Sequence, residues 1–346
     1  MQSHRVLKPT THGLHSPDGG FHVDPPRGVE RALITHAHSD HARSGSGAYL
    51  CAEPGVGVLR LRLGPKARIT GIPYGERITL GSVQVSFHPA GHVLGSAQIR
   101  CERRGEVWVV SGDYKTEPDR TCTPFEPIRC HTFITECTFG LPLFHWRPQK
   151  EIFDEIARWW GENQARGCTS LLLSYSLGKA QRLLAGIDPT QGPIHVPRSV
   201  ARFNAAYEAA GIPLPPTLPM EALPATRGRA LVLAPPGSSE EEGVEGARGF
   251  TSGWMQLQRH RSARHGAGAF VLSDHADWPG LLRSVKETGA TQVLATHGYV
   301  DPFVRFLREQ GINAGPLEAP GSPLRPPPPR TKGDGIPGPI EGESPT

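Results

Sequence analysis

The sequence predicts an α/β fold, and three observations lead to it. Short apolar runs with β-branched residues recur along the first part of the chain, each stopping within a few residues of a His, Asp or Glu. Over residues 148–167 the apolar positions shift to helical spacing, with Ile152, Ile156, Trp159 and Trp160 on one face and charges on the other. Leu171-Leu-Leu-Ser-Tyr-Ser176 then has the composition of a buried strand, and Gly178-Lys179 turns it into a helical stretch over residues 180–185. Strand, turn and helix in succession are the repeating unit of α/β architecture.

The elements follow in order. A strand in Phe21-His-Val-Asp-Pro25 ends on Asp24, and the run Arg31-Ala-Leu-Ile-Thr35 leads into a cluster of histidines. Similar runs over 82–87, 106–110 and 132–135 each end close to another polar group. Beyond the helix at 148–167 and the unit at 171–185, further α/β elements are expected over 200–210 and 229–234, with a polar acidic loop over 238–245. The last ordered unit is a strand over 292–295 with a helix over 302–310. From Pro316 the chain is dominated by Pro and Gly, including Pro326 to Pro329, which predicts a disordered tail.

With 346 residues, the chain can form two modest domains or one large α/β domain carrying an insertion. No segment approaches the ~20 uncharged apolar residues of a membrane span. The first eleven residues lack the apolar centre of a secretory leader, so a cytoplasmic location is expected. The six cysteines (Cys51, Cys101, Cys122, Cys130, Cys137, Cys168) show no C-x-x-C spacing, which argues against a thiolate zinc site or a disulfide framework. A net charge of +4 permits a nucleic-acid partner without demanding one.

The 16 histidines are many for this length, and several fall at metal spacing. In His36-x-His38-x-Asp40-His41, residues two apart in an extended loop point the same way. His36 and His38 can therefore grip one cation while Asp40 and His41 face a second. His92, in Pro89-Ala-Gly-His-Val-Leu-Gly-Ser96, and Asp113, in Ser111-Gly-Asp-Tyr114, each follow a predicted strand as ligands would. An aspartate suits the bridge, since each oxygen can bind one cation and its charge offsets their repulsion. Asp24 stands where a carboxylate can orient a ligand His through its second ring nitrogen, although a plain Asp-Pro turn has the same sequence.

Two weaker features suit a polyanion. Ser174, Ser176 and Lys179 open a predicted helix whose free N–H groups could hold a phosphate, as could a simple helix cap. Arg259, Arg261 and Arg264 fall in a stretch without acids between Glu245 and Asp274, fitting either a strand-binding groove or a solvated basic loop.

The order H-x-H-x-D-H, a later His, then a later Asp resembles the metallo-β-lactamase superfamily. The resemblance implies an αββα sandwich with metals at one edge of the sheets. His297 comes far beyond Asp113, and the interval contains Ile134-Thr-Glu-Cys-Thr-Phe-Gly140, Leu272-Ser-Asp-His-Ala-Asp277 and Ala295-Thr-His-Gly298. These are similar to the extra motifs of the β-CASP nuclease group, among which the chain most resembles the bacterial ligase-associated DNA exonucleases. The implied organisation is a metallo-β-lactamase domain over 1–139, a small α/β β-CASP insertion over 140–268, a return segment over 269–315 and the tail over 316–346.

The resemblance further implies two divalent cations, Zn²⁺ or Mn²⁺, held by His36, His38, Asp40, His41, His92, Asp113 and His297. Asp40 would also serve catalysis, with a metal-bound hydroxide attacking the phosphodiester. Glu136 would hold and polarise a histidine, and His275 would protonate the leaving oxygen. The expected substrate is DNA, as single strand or duplex ends, with RNA as the alternative on the same scaffold. A DNA ligase and a helicase are the partners the family implies. A binding protein without catalysis is disfavoured because no metal position is replaced, and a small-molecule hydrolase because the insertion is long.

Overall fold

The computed structural model describes residues 5–257 and 267–317. The tail expected from Pro316 onward lies, past Leu317, outside the described residues. The described chain divides into two compact units, one formed by residues 5–144 and 275–317, the other by 145–257 and 267–274.

In the first unit, one sheet runs in sequence order: β1 (Lys8–Thr10), β2 (Gly13–Ser16), β3 (Phe21–Val23), β4 (Arg31–Leu33), β5 (Ala48–Ala52) and β6 (Ile69–Ile72). The helix α1 (Val56–Leu63) connects β5 to β6. The second sheet is built from β7 (Ile78–Leu80), β8 (Val83–Pro89), β9 (Ala97–Arg103), β10 (Glu106–Val110), β11 (Thr132–Cys137), β17 (Gln292–Gly298) and β18 (Ala314–Pro316). Its spatial order is β18-β17-β11-β10-β9-β8-β7, antiparallel at the β7 end and parallel from β10 to β18.

Alternation along these strands separates two cores. Leu14, Phe21, Val23 and Leu33 of the first sheet pack on Val85, Phe87, Ile99, Trp108 and Val110 of the second. On the far face of the second sheet, Val107, Val109, Phe133 and Val293 meet the helices Trp278–Thr288, through Leu281 and Val285, and Val300–Glu309, through Phe303 and Leu307. With α1 against β6 on the other side, the layers are helix, sheet, sheet, helix.

The second unit holds a parallel sheet of β12 (Ser170–Leu173), β13 (Ile194–His195), β14 (Leu231–Ala234), β15 (Ala247–Thr251) and β16 (Gly268–Phe270), ordered β13-β14-β12-β15-β16. One face is covered by the helices Gln149–Ala165, Lys179–Gly186 and Arg198–Ala209. Ile152, Ile156 and Trp160 are buried along the first of these, as their spacing requires, while Trp159 is half-buried. All six cysteines are free thiols. Among the described residues no helix is long and apolar enough to cross a membrane.

Candidate metal centre

Four strand ends of the first unit converge on one group of side chains. β4 ends at Leu33 and releases the loop carrying His36, His38, Asp40 and His41; β8 precedes His92, β10 precedes Asp113, and β17 carries His297. Gly112, with φ +58°, lets the Asp113 loop touch this first loop, because a Cβ there would fall 2.6 Å from Thr35 Cβ.

His36, His38, His92 and Asp113 form one cluster whose ligand atoms all lie within 4.8 Å of one another. His36 Nε2 lies 3.1 Å from His38 Nδ1, and His92 Nε2 lies 3.0 Å from the same Nδ1. A tetrahedral cation ~2.05 Å from each nitrogen sets its ligands ~3.3 Å apart, so the spacing fits a divalent metal. Asp113 Oδ2 faces this group, 3.6 Å from His36 Nε2 and 3.8 Å from His92 Nε2.

The other oxygen of Asp113 faces a different group. Oδ1 stands 3.6 Å from His41 Nε2, which is also 3.6 Å from Asp40 Oδ2. The His297 ring lies 5.6 Å from that of His41, centroid to centroid. A cavity of ≈ 150 Å³ opens beside this second group, with Asp40, His41, Ser111 and His297 among its lining residues.

Asp24 lies behind His41. Its Oδ2 accepts from His41 Nδ1 at 2.8 Å and from Thr35 Oγ1 at 2.6 Å, and its Oδ1 accepts from Thr35 N at 2.8 Å. Nδ1 being committed, Nε2 is the nitrogen turned toward Asp40 and Asp113. Asp24 and His297 both occupy the left-handed backbone region, at φ 42° and 55°. Such conformations cost ~1–3 kcal/mol and persist where surrounding contacts impose them.

Glu136, at the end of β11, is buried. Its Oε1 accepts from Tyr114 N at 2.9 Å, and its Oε2 accepts from Thr138 N at 3.3 Å and from Thr138 Oγ1. His275 Nδ1 lies 2.8 and 3.0 Å from the two oxygens, and the His275 ring stands 4.8 Å from that of His92. Asp113, Glu136 and His275 form a second tight cluster of possible ligand atoms.

The charges are interlocked. Burial opposes a charge on His41, but Asp113, Asp24 and Asp40 outweigh it and push the ring up to about 10. Burial, followed by the positive His41, holds His36 well below its ordinary value. Burial alone would raise Asp113, whereas His41, His275, His36 and His92 hold it well below the usual carboxylate range. The result is an anionic Asp113 carboxylate facing the neutral imidazole of His36, a donor pair that divalent cations take.

Ser174, Ser176 and Lys179, expected to hold phosphate, belong to the second unit, where the Lys179 ammonium has protein partners of its own. Only 4% exposed, its ammonium donates to the Leu272 carbonyl and pairs with Asp274 Oδ2, both at 3.0 Å. At the same helix start, Gly178 N is capped by Gln181 Oε1 at 2.8 Å. Ser174 is buried and Ser176 half-buried. Arg259, Arg261 and Arg264 lie outside the described residues. Sequence reasoning passed over Thr35 and Thr138, whose roles depend on contacts formed only in the fold.

No family model matches the chain. Over 311 residues it is 32% identical to a protein of Opitutus terrae described as a probable DNA ligase, covering 88% of this chain and 30% of that protein. It is 30% identical over 145 residues to the endoribonuclease ysh-1 of Neurospora crassa, covering 39% of this chain and 17% of that one. It is 27% identical over 197 residues to the ribonuclease TTHA0252 of Thermus thermophilus, covering 49% of this chain and 44% of that one. The chain thus spans less than half the length of each of these relatives. A crystal structure of a protein of unknown function from Enterococcus faecalis V583 shares the fold, with a TM-score of 0.57 at 12% identity over 82% of this chain and 78% of the other.

Proposed function

This chain belongs to the β-CASP group of the metallo-β-lactamase superfamily, and from that premise we propose that it is a two-metal phosphodiesterase that degrades DNA from an end, acting in repair. The carrying observation is the division of Asp113, whose two oxygens face two different groups of donors. His36, His38 and His92 would hold one cation, Asp40, His41 and His297 the other, with Asp113 between. When bound, Zn²⁺ or Mn²⁺ ions supply Lewis acidity to the phosphate and activate water.

The chain's own residues do the rest. Asp24 holds His41 in the orientation that presents Nε2. Glu136 fixes His275 through Nδ1, so Nε2 is the nitrogen that hands a proton to the departing sugar oxygen. A phosphodiester needs that proton, because an alkoxide is a poor leaving group.

A DNA substrate is supported by the relative described as a probable DNA ligase, which carries a segment similar to most of this chain within a longer polypeptide. A ligase and a helicase acting on the same DNA are the proposed partners. Ribonuclease action is the second reading, favoured by the names of the Neurospora and Thermus relatives. Digestion of 5′- and 3′-labelled DNA and RNA of one sequence, with Zn²⁺ or Mn²⁺ added, separates the readings. Mononucleotide release from DNA with intact RNA is expected; the reverse selectivity would establish the ribonuclease.

A further inference from the structure

Regular alternation along β17 would send His297 away from the metal centre. Val293 and Ala295 lie in the core between the second sheet and its helices. Leu294 packs toward the first sheet, and Thr296 lines the cavity beside His41. Successive side chains of a strand point to opposite faces, so the next residue belongs with Val293 and Ala295. Instead His297 lines the same cavity as Thr296, with its ring 5.6 Å from that of His41.

A β-bulge accounts for the change of face. In the parallel ladder with β11, Glu136 pairs with Thr296 but Cys137 pairs with Gly298, leaving His297 as the extra residue opposite the step from Glu136 to Cys137. One extra residue shifts a period of two by half and turns a side chain to the other face. The turn is made by two successive left-handed residues, His297 at φ 55° and Gly298 at φ 75°.

The end of β11 holds this backbone in place. Cys137 Sγ donates to the His297 carbonyl at 2.9 Å, and Tyr299 N donates to the Cys137 carbonyl at 3.0 Å. Between these two contacts, Gly298 approaches so closely that a Cβ there would fall 2.3 Å from both Cys137 O and Thr138 Cα. The conformation that a histidine rarely adopts is therefore imposed by the neighbouring strand.

We propose that this bulge, latched by Cys137 and sterically permitted by Gly298, is the device that turns His297 into the metal centre and completes the second group of donors. Cys137 and Gly298 are positioning residues, each acting through the backbone of His297 rather than as a ligand. The proposal rests on the two-metal reading and names what builds its second half.

Chelator-competition titration of the full-length protein with Zn²⁺ tests it. Gly298→Ala sets a Cβ against the backbone of β11 and is expected to weaken the cation assigned to Asp40, His41 and His297 at least tenfold. The cation assigned to His36, His38 and His92 should stay within twofold of wild type. Should Gly298→Ala fail to fold, Cys137→Ala carries the test, because it removes one donor and adds no atom. It is expected to weaken the same cation ~2- to 10-fold, the range of a single hydrogen bond. Cys137→Ser keeps a donor and should stay within twofold of wild type. Two cations at wild-type affinity in either folded variant, or equal weakening of both, would overturn the proposal. A Cys137→Ser protein as weak as Cys137→Ala would overturn the latch. A wild-type protein that takes up a single cation would instead overturn the two-metal reading, and the bulge would then have no second site to complete.

Discussion

Replacing Asp24 by Asn should weaken the binding of one cation and leave the other in place. The side chain keeps its size, and Asn tolerates the left-handed backbone at φ 42°, so backbone strain does not confound the result. Oδ1 can still accept from Thr35 N. The position now facing His41 Nδ1 at 2.8 Å and Thr35 Oγ1 at 2.6 Å becomes an NH₂ group, which cannot accept from either. A hydrogen bond to a charged group contributes ~1.5–3 kcal/mol. At ~1.4 kcal/mol per tenfold, its removal predicts a ~10- to 150-fold weaker site, overlapping the ~10- to 100-fold seen when a ligand histidine is deprived of its supporting carboxylate. Chelator-competition titration with metal analysis should show one cation at wild-type affinity, assigned to His36, His38 and His92, and one weakened. Two cations at wild-type affinity, or equal weakening of both, would rule out an orienting role for Asp24.

Three further outcomes follow from the geometry. His275→Ala should retain its metals and lose ~10²–10⁴-fold in turnover of DNA, but far less on bis(p-nitrophenyl) phosphate, whose leaving group needs no proton; equal losses on both would contradict a proton-donor role. Gly112→Ala sets a Cβ 2.6 Å from Thr35 Cβ at φ +58° and should cost ~1–3 kcal/mol of stability, so an unshifted denaturation midpoint would count against the loop packing described. In metal-free protein, His41 is raised from 6.5 to about 10, so its stabilising contribution is complete below the lower value and disappears as pH rises through the upper one. Melting of chelator-treated wild type and His41→Asn should therefore differ most just below pH 6.5, less at each higher pH, and converge above pH 10, and a difference that grows with pH would contradict the sign.

The residues that converge on Asp113 were legible in the sequence because each sits within a few positions of a strand end, and strand ends display side chains at fixed places. His36, His38, His92 and Asp113 needed only that local rule to be picked out. The orienting contact of Asp24 with His41 was accessible for the same reason, since β3 and β4 are neighbours. Much of the first sheet was not legible: strands of three or four residues, such as β1 and β2, are too short to show a period. β9 was missed although it has seven residues: Ala97, Ile99 and Cys101 alternate with Gln98, Arg100 and Glu102, a period-2 pattern without the continuous apolar run by which the other strands were recognised. The partners of Lys179 were hidden for a different reason. Gly178-Lys179 before a helix is compatible with a phosphate cradle, and nothing local reveals that the ammonium is taken up by Asp274, far along the chain.

In the function proposed here, Asp113 joins two cations in one centre. Loading the metal-free protein with Mn²⁺ and recording its electron paramagnetic resonance spectrum tests this directly, because ions bridged at ~3.5–4 Å couple magnetically whereas isolated ions do not. Two Mn²⁺ per chain with an exchange-coupled spectrum, abolished in Asp113→Ala, is the expected result. One ion per chain, or two with the spectrum of isolated Mn²⁺, would contradict it.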